Sequence, residues 1–356
     1  MQATDPPLPI SLFSRSLRAV ENRCVAFGGK AVHARALRRA VLRGSDGLTA
    51  SGDGSAVLPA GLSRSLEKEG FVARRLERAG ECVADDGSIK LALRLPDSRI
   101  IETVVMRNRR GHSVCISTQV GCPVGCVFCA SGIGGLARNL EPFEMIEQFA
   151  WASSCAPLHR AVIMGIGEPL QNLEALLEAL EVITLELPLP QSRIVISTIG
   201  WPDKIVQLME RRPCYRLAVS LHAADDPTRA RLVPSMRGVP VKEIIAAARE
   251  YSVSSGHRVQ FEYVLLKDVN DRPEMIDELV KLLEGMNAYV NLIPWNRVEE
   301  LPFEAPDESH VASLIRRAKD RGILATHRRS AGRSAQAACG QLRRNLDQER
   351  LPAALG

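Results

Sequence analysis

From residue 113 onward the sequence repeats one rhythm six times: a short strand-like run, then a helical stretch. The runs read SVCISTQV, AVIMGIG, RIVISTIG, RLAVSLHA, VQFEYVLL and YVNLIPW. Between them lie stretches such as EMIEQFAWASS, LEALLEALEVI, KEIIAAAREY and PEMIDELVKLLEGM. Strands joined through helices pair in parallel, and a parallel sheet needs helices to cover its faces. The core is therefore a parallel α/β sheet, either an open doubly wound sheet or an incomplete barrel. In both, chemistry gathers at the C-terminal ends of the strands, so residues there carry the most weight.

Ahead of this core the pattern differs. VHARALRRAVLR (32–43) has apolar residues at helical spacing with arginines on the other face, and a second helix-like stretch covers about 60–70 after the break GSDGLTASGDGS. Residues 88–105 alternate as a pair of β-strands. The expected organisation is a helical accessory domain over 1–80, a connecting β-hairpin region over 81–112, the α/β core over 113–344, and a tail over 345–356.

Hydrophobic residues at 46% and charged residues at 24% mark a soluble globular chain. No apolar run approaches the roughly 20 residues that span a bilayer, so no membrane partner is expected. The first residues, MQATDPPLPISLFSRSLRA, lack the apolar stretch and cleavage site of a signal peptide. A cytoplasmic, reducing location is expected, where clustered cysteines point to metal or catalysis rather than to disulfides. Charge is uneven. Residues 1–80 hold 13 Lys and Arg against 7 Asp and Glu, residues 316–344 hold 9 against 1, and the middle is net acidic. Basic ends around an acidic body suit a polyanion held from two sides, or else solvated helix faces.

The most specific motif is GCPVGCVFCASG, with Cys122, Cys126 and Cys129 spaced C-x3-C-x2-C just after the first core strand. Soft thiolates favour iron–sulfur or zinc. A structural zinc site wants four ligands, and the only local fourth candidates, Cys115 and His112, lie on or before the strand. Three thiolates on one loop can instead hold three irons of a cubane and leave the fourth open to a reactant.

This motif resembles the signature of the radical S-adenosylmethionine superfamily. CISTQVGC (115–122), ARNL (137–140), MGIGEPLQN (164–172), VISTIG (195–200), AVSLHAADDPTRARLVP (218–234), VNLIPWN (290–296) and AACGQL (337–342) resemble, in order, the RlmN/Cfr family. These are radical adenine-carbon methyltransferases of ribosomal and transfer RNA. The resemblance implies a partial (β/α)6 barrel with a small N-terminal helical domain, a [4Fe–4S] cluster on Cys122, Cys126 and Cys129, and S-adenosylmethionine as cofactor. It implies Gly167, Glu168, Ser197, Ser220, Leu221, His222 and Asn296 as cofactor contacts, all near strand ends.

The resemblance also implies three catalytic residues. Cys339 accepts a methyl group from one cofactor molecule, and a 5′-deoxyadenosyl radical from a second removes hydrogen from it. The methylene radical adds to the base, linking enzyme to RNA. Cys115 then attacks the Cys339 sulfur, forming a transient disulfide and releasing the product, and Glu102 is the proton acceptor. Adenine carbons 2 and 8 have no lone pair to attack a sulfonium methyl, which is the reason to couple radical chemistry to RNA methylation. Carbon 2 of a 23S rRNA adenosine is the expected target, with tRNA a further one and carbon 8 the rival. An external electron donor such as flavodoxin or ferredoxin is implied, and a monomer is expected.

Three segments depart from the family pattern. SAGRSAQAACGQL lacks the acidic residue of the usual Arg-Gly-x-Asp-Ile run, EAPDESHVASLI lacks the usual asparagine, and GGLARNL replaces GFNRNL. Arg328, Arg329, Arg333, Arg343 and Arg344 flank Cys339 and are candidate phosphate contacts. Cys24, Cys82, Cys155 and Cys214 read as ordinary thiols. At 4% aromatics, no base-stacking platform is evident. A different class, a non-catalytic RNA-binding protein with a vestigial cluster, needs neither Cys115 nor Cys339.

Overall fold

A computed structural model of the chain describes residues 9–49, 58–108, 110–211, 214–328 and 331–342. Its centre is a ten-stranded sheet whose spatial order follows the chain order throughout. The strands are β1 (Glu77–Val83), β2 (Ile89–Arg94), β3 (Ile100–Asn108), β4 (Gly111–Cys115), β5 (Leu158–Ile163), β6 (Ile194–Thr198), β7 (Arg216–Ser220), β8 (Val259–Leu265), β9 (Ala288–Pro294) and β10 (Ala325–His327). β4 through β10 pair in parallel, while β1, β2 and β3 form an antiparallel extension joined to β4. A doubly wound sheet reverses its strand order at a switch point. Winding here continues in one direction and, among the described residues, the two edge strands do not pair, which makes it a partial barrel.

The strand pair read over 88–105 is β2 and β3. β1, ahead of it, straddles the boundary drawn at residue 80, and β4 straddles that at 112. β1 escapes a pattern search because every residue of ERAGECV is exposed or half-buried, so no apolar face repeats along it.

Three helices precede the sheet: α1 (Leu17–Ala26), α2 (Ala31–Leu42) and α3 (Ala60–Lys68). The core helices are α4 (Pro142–Cys155), α5 (Leu173–Glu186), α6 (Pro202–Glu210), α7 (Asp226–Leu232), α8 (Val241–Ser255), α9 (Pro273–Leu282) and α10 (Glu308–Asp320). Among the described residues no helix is long and apolar enough to cross a membrane. α2 packs on α4 and α5, and one apolar core runs unbroken from Leu12 to Ala325. The junction also contains buried charge. Arg38 of α2 pairs with Glu186 of α5 at 3.2 Å, both almost fully buried. Glu147 of α4, fully buried, accepts hydrogen bonds from the Ser11 hydroxyl and from the backbone N–H groups of Arg75 (2.7 Å) and Leu76 (2.8 Å).

Burial pushes the Glu147 carboxyl up to about 7, against those hydrogen bonds and the pull of Arg74. The folded chain therefore holds a proton here between about pH 4.5 and 7 that the unfolded chain has lost, and stability falls as pH rises through that window. A glutamine can keep both backbone hydrogen bonds through its oxygen and donate to the Ser11 hydroxyl through its amide, without ionising. Relative to wild type, Glu147→Gln is expected to gain up to about 3 kcal/mol between pH 5 and 7. Parallel thermal melts of the two proteins at each pH check this, and a constant difference would contradict it.

Strand alternation sorts the sheet into two faces. One face, with Ile194, Ile196, Leu217, Val219 and Phe261, joins the main core under the helices. The other, concave, carries Val104, Cys115, Val162, Val195 and Ala218, and against them lie Ala335, Ala337 and Leu342. The C-terminal segment thus plugs the concave face.

Candidate active site

A cleft of about 970 Å³, counting the open solvent at its mouth, lies where the parallel strands end. Its lining comes from β5 to β9, from the loop carrying Cys122, Cys126 and Cys129, and from the C-terminal segment at Cys339. This is the end of a barrel-type sheet where ligands bind.

The cysteine loop is clamped from several sides. It hangs from a short antiparallel pair, Gln119–Gly121 with Leu136–Asn139. Gly121 turns there with φ 79°, and a Cβ would sit 2.0 Å from the Gly135 carbonyl oxygen, so only glycine fits. Val127 N–H donates to Leu232 at the end of α7 (3.1 Å), and the Trp295 indole N–H donates to the Phe128 carbonyl (2.9 Å). Phe128 meets the His222 ring edge-on at 4.9 Å. Ala130 N–H and the Ser131 hydroxyl donate to the carbonyls of Gly340 (2.8 Å) and Leu342 (2.7 Å).

All three thiols line the cleft. Burial pushes the Cys122 thiol up to about 12, with Cys129 and Glu168 adding to the rise. Cys126 is driven well above its usual value by burial and by the other two sulfurs. Three thiolates gathered in protein need a cationic centre. Among the described residues, no group of three or more His, Cys, Asp and Glu side chains is arranged to hold a single metal ion. A cubane makes the looser demand of one thiolate per iron at separate corners, and the loop fits that demand.

Gly167 and Glu168 follow β5. Gly167 has φ 111°, and a Cβ there would sit 2.7 Å from that of Gln119, so the turn requires glycine. Glu168, 3% exposed, accepts from the backbone N–H groups of Ile199 (2.8 Å) and Leu170 (3.1 Å). Burial pushes its carboxyl up to about 7, and no cation among the described residues helps to hold it ionised. A buried carboxylate without a cation suits a ligand's ammonium, such as that of a methionine moiety.

Ser197 and Ser220 stand side by side at the ends of β6 and β7, their hydroxyls 3.4 Å apart, and both line the cleft. His222 lines it too, in the left-handed region at φ 63°. Burial drops its imidazole to about 3, so the ring is neutral, and its Nδ1 accepts from Val264 N–H at 3.1 Å. Asn296 lines the cleft and donates to the Cys339 carbonyl at 3.0 Å. Leu221 is set back from the lining, fully buried, with its N–H given to Glu262 and its carbonyl taken by Arg229.

The C-terminal segment is bound at both ends. Asp85 N–H donates to the Ser334 hydroxyl (2.9 Å), and Gly332 N–H to Asp86 (2.9 Å). Gln341 donates to the Arg297 carbonyl at 2.8 Å. Cys339 is exposed to the cleft, yet the protein packed around it pushes the thiol up to about 11, against the pull of Arg328. Cys115, buried on β4, is pushed up to about 12 by burial and by Cys339, with Arg328 again opposing. Cys339 thus acts on Cys115, and one cation, Arg328, acts on both.

The basic run around Cys339 makes Arg328 a candidate phosphate contact; in the structure its guanidinium lines the cleft and pairs with Glu262 of β8 at 2.9 Å. Arg329, Arg343 and Arg344, like the tail over 345–356, lie outside the described residues. Glu262 also accepts from Gln260 and from Asn291 (3.1 Å). A sequence signal for it exists: Gln260 and Glu262, two apart in an otherwise apolar strand, point to one face. Glu102 is buried on β3, two residues from Val104, the register partner of Cys115, and so on the same face as Cys115. Lys90 pairs with it at 2.9 Å and donates to the Gln336 carbonyl at 3.3 Å. Neither Glu102 nor Cys115 reaches the cleft lining.

The family model described as the radical SAM superfamily matches residues 116–283. A protein of Prochlorococcus marinus (strain MIT 9303), named "probable dual-specificity RNA methyltransferase RlmN", is 37% identical over 347 residues, covering 94% of this chain and 95% of that one. The chain belongs to the RlmN-type radical SAM RNA methyltransferases. A Thermosynechococcus vestitus protein of the same name is 42% identical over 262 residues, 73% of this chain and 78% of its own. The crystal structure of a radical SAM methyltransferase from Sphaerobacter thermophilus superposes with a TM-score of 0.86 at 39% identity, covering 94% of this chain and 99% of that one. Membership in this family implies S-adenosylmethionine and a [4Fe–4S] cluster, and the thiol loop and Glu168 fit them.

Proposed function

We propose that this RlmN-type enzyme methylates carbon 2 of an adenosine in 23S rRNA, with tRNA as a second substrate, through an S-methyl group on Cys339. The carrying observation is the pair of thiols, Cys339 in the cleft and Cys115 behind it, sharing one arginine beside a three-cysteine loop. The relatives' name, dual-specificity, supports two RNA substrates. Bound on Cys122, Cys126 and Cys129, the cluster with S-adenosylmethionine supplies one-electron cleavage of a sulfonium and a radical that takes hydrogen from carbon.

The residues divide the remaining work. Glu168 receives the methionine ammonium, and Gly167, Ser197, Ser220, Leu221, His222 and Asn296 form the bed for the rest of that cofactor. Cys339 carries the methyl carbon to the base. Glu102, with Lys90 as its counter-charge, takes the ring proton, and the adduct's unpaired electron would return to the oxidised cluster held by Cys122, Cys126 and Cys129, so that the base linked to Cys339 is closed-shell before Cys115 acts. Cys115 then attacks the Cys339 sulfur: the S–S bond forms, the S–C bond breaks, and its electron pair leaves on carbon, which takes up a proton to become the methyl group. Both sulfurs must act as thiolates, and Arg328, held by Glu262, is the cation that favours them. Arg328→Met is expected to cut turnover about tenfold and to leave enzyme–RNA adduct unresolved, measured by single-turnover kinetics and gel shift after denaturation. Unchanged turnover would remove Arg328 from the mechanism.

The exposed arginines of α1 and α2, among them Arg18, Arg35 and Arg39, suit RNA phosphates and make residues 1–80 an RNA-contacting domain. The enzyme works as a cytoplasmic monomer supplied with electrons by a flavodoxin or ferredoxin, which also suits renewal of its two thiols by cellular reductants. Anaerobic reaction with S-adenosylmethionine, reductant and ribosomal RNA, followed by nucleoside mass spectrometry, tests the proposal. 2-Methyladenosine is expected. 8-Methyladenosine would transfer the mechanism to the other carbon, and 5′-deoxyadenosine without methyladenosine would overturn the RNA assignment.

A further inference from the structure

Arg229 of α7 heads the fully buried side chains by volume, at 1% exposure. Asp225 caps that short helix through Thr228 N–H (2.8 Å), which fixes where the arginine enters the interior. Its guanidinium donates to three main-chain carbonyls just past β6 and at the end of β7: Ile199, Leu221 and, at 3.2 Å, Ser220. Its Nε has no hydrogen-bond partner among the described residues. Among the described residues no carboxylate forms a salt bridge with it; Asp226 is exposed and accepts from Val241 N–H instead.

A guanidinium taken out of water to meet only neutral carbonyls is costly, and buried charges are otherwise paired or set beside a metal centre. The same helix is fastened to the cysteine loop, because Leu232 accepts from Val127 N–H, the residue after Cys126. Once ionised, the Cys126 sulfur acts on Arg229 more strongly than does Asp226, the other anionic group that acts on it. We infer that the cluster is the missing counter-ion of Arg229, and that Arg229 raises the cluster's reduction potential. Three thiolates on a cubane core make an anion, and reduction adds a further negative charge, so a fixed buried cation stabilises the reduced form more. This rests on Cys122, Cys126 and Cys129 being the cluster ligands. Arg229 is a positioning and tuning residue that touches no substrate.

The test is a redox titration of the reconstituted enzyme, followed by the electron paramagnetic resonance of the reduced cluster, for wild type, Arg229→Lys and Arg229→Met. Arg229→Met is expected to be about tenfold harder to reduce, about 59 mV for a one-electron couple, while Arg229→Lys keeps most of the wild-type potential. Cluster loss from Arg229→Met alone also supports the inference, since an anion has lost its counter-ion. Equal potentials at equal iron and sulfide content would overturn it, as would equal drops, or cluster loss, in both variants. A wild-type protein that takes up no cluster would defeat the ligand reading itself, a different failure with its own signature.

Discussion

Cys115→Ala is expected to emerge from cells with RNA covalently attached, in a yield approaching one RNA per active molecule. In the proposed sequence Cys339 becomes bonded to the base before Cys115 is needed, so removing Cys115 stops the reaction at the adduct. The position of Cys115 makes this a clean deletion. It is a small buried side chain between Val104, Val162 and Ala337, and an alanine there leaves the strand pairing of β4 untouched. Purification under denaturing conditions, with a 260 nm absorbance that ribonuclease removes, reads the result. RNA-free Cys115→Ala protein with normal methylating activity would sink the assignment of the resolving thiol.

Cys339→Ala is expected to give the opposite picture: no methylation, no adduct, and 5′-deoxyadenosine still released from the cofactor. Cys339 is the one thiol of the C-terminal segment that faces the cleft, and its neighbours are held from outside the side chain. Asn296 binds the Cys339 carbonyl and Ala130 binds the Gly340 carbonyl, so the backbone path survives the substitution. Methylation should fall below detection, a loss of more than about 10³-fold. Combining the two substitutions should abolish the adduct seen with Cys115→Ala alone, because the adduct needs Cys339 and not Cys115. Any methylated product from the single variant would show that the methyl group reaches RNA by another route.

Much of this architecture is legible in the amino-acid sequence. The strands β4 to β9 are short β-branched runs between helical stretches, and a serial rhythm of that kind leaves little choice of topology. Cys122, Cys126 and Cys129 stand out by spacing, and Gly167, Glu168, Ser197 and Ser220, which the family resemblance implies as cofactor contacts, lie where strands end and line the cleft. What stays hidden depends on pairs far apart in the chain. Arg328 reads as one more arginine in a basic tail, because its partner Glu262 is 66 residues away. Lys90 and Arg229 have no local sequence mark, since their meaning comes from Glu102 across a β-ladder and from three carbonyls gathered by the fold. β1 stays hidden for another reason, the lack of a buried apolar face.

The passage of the methyl group through Cys339 can be followed with S-adenosylmethionine carrying a trideuterated methyl group. If Cys339 first holds that group as a thioether and gives up one hydrogen before carbon–carbon bond formation, the methyladenosine should contain two deuterium atoms, with the third found in 5′-deoxyadenosine. Methyladenosine retaining all three would mean that the methyl group moved intact from cofactor to base, and the roles given to Cys339 and Cys115 would fall together.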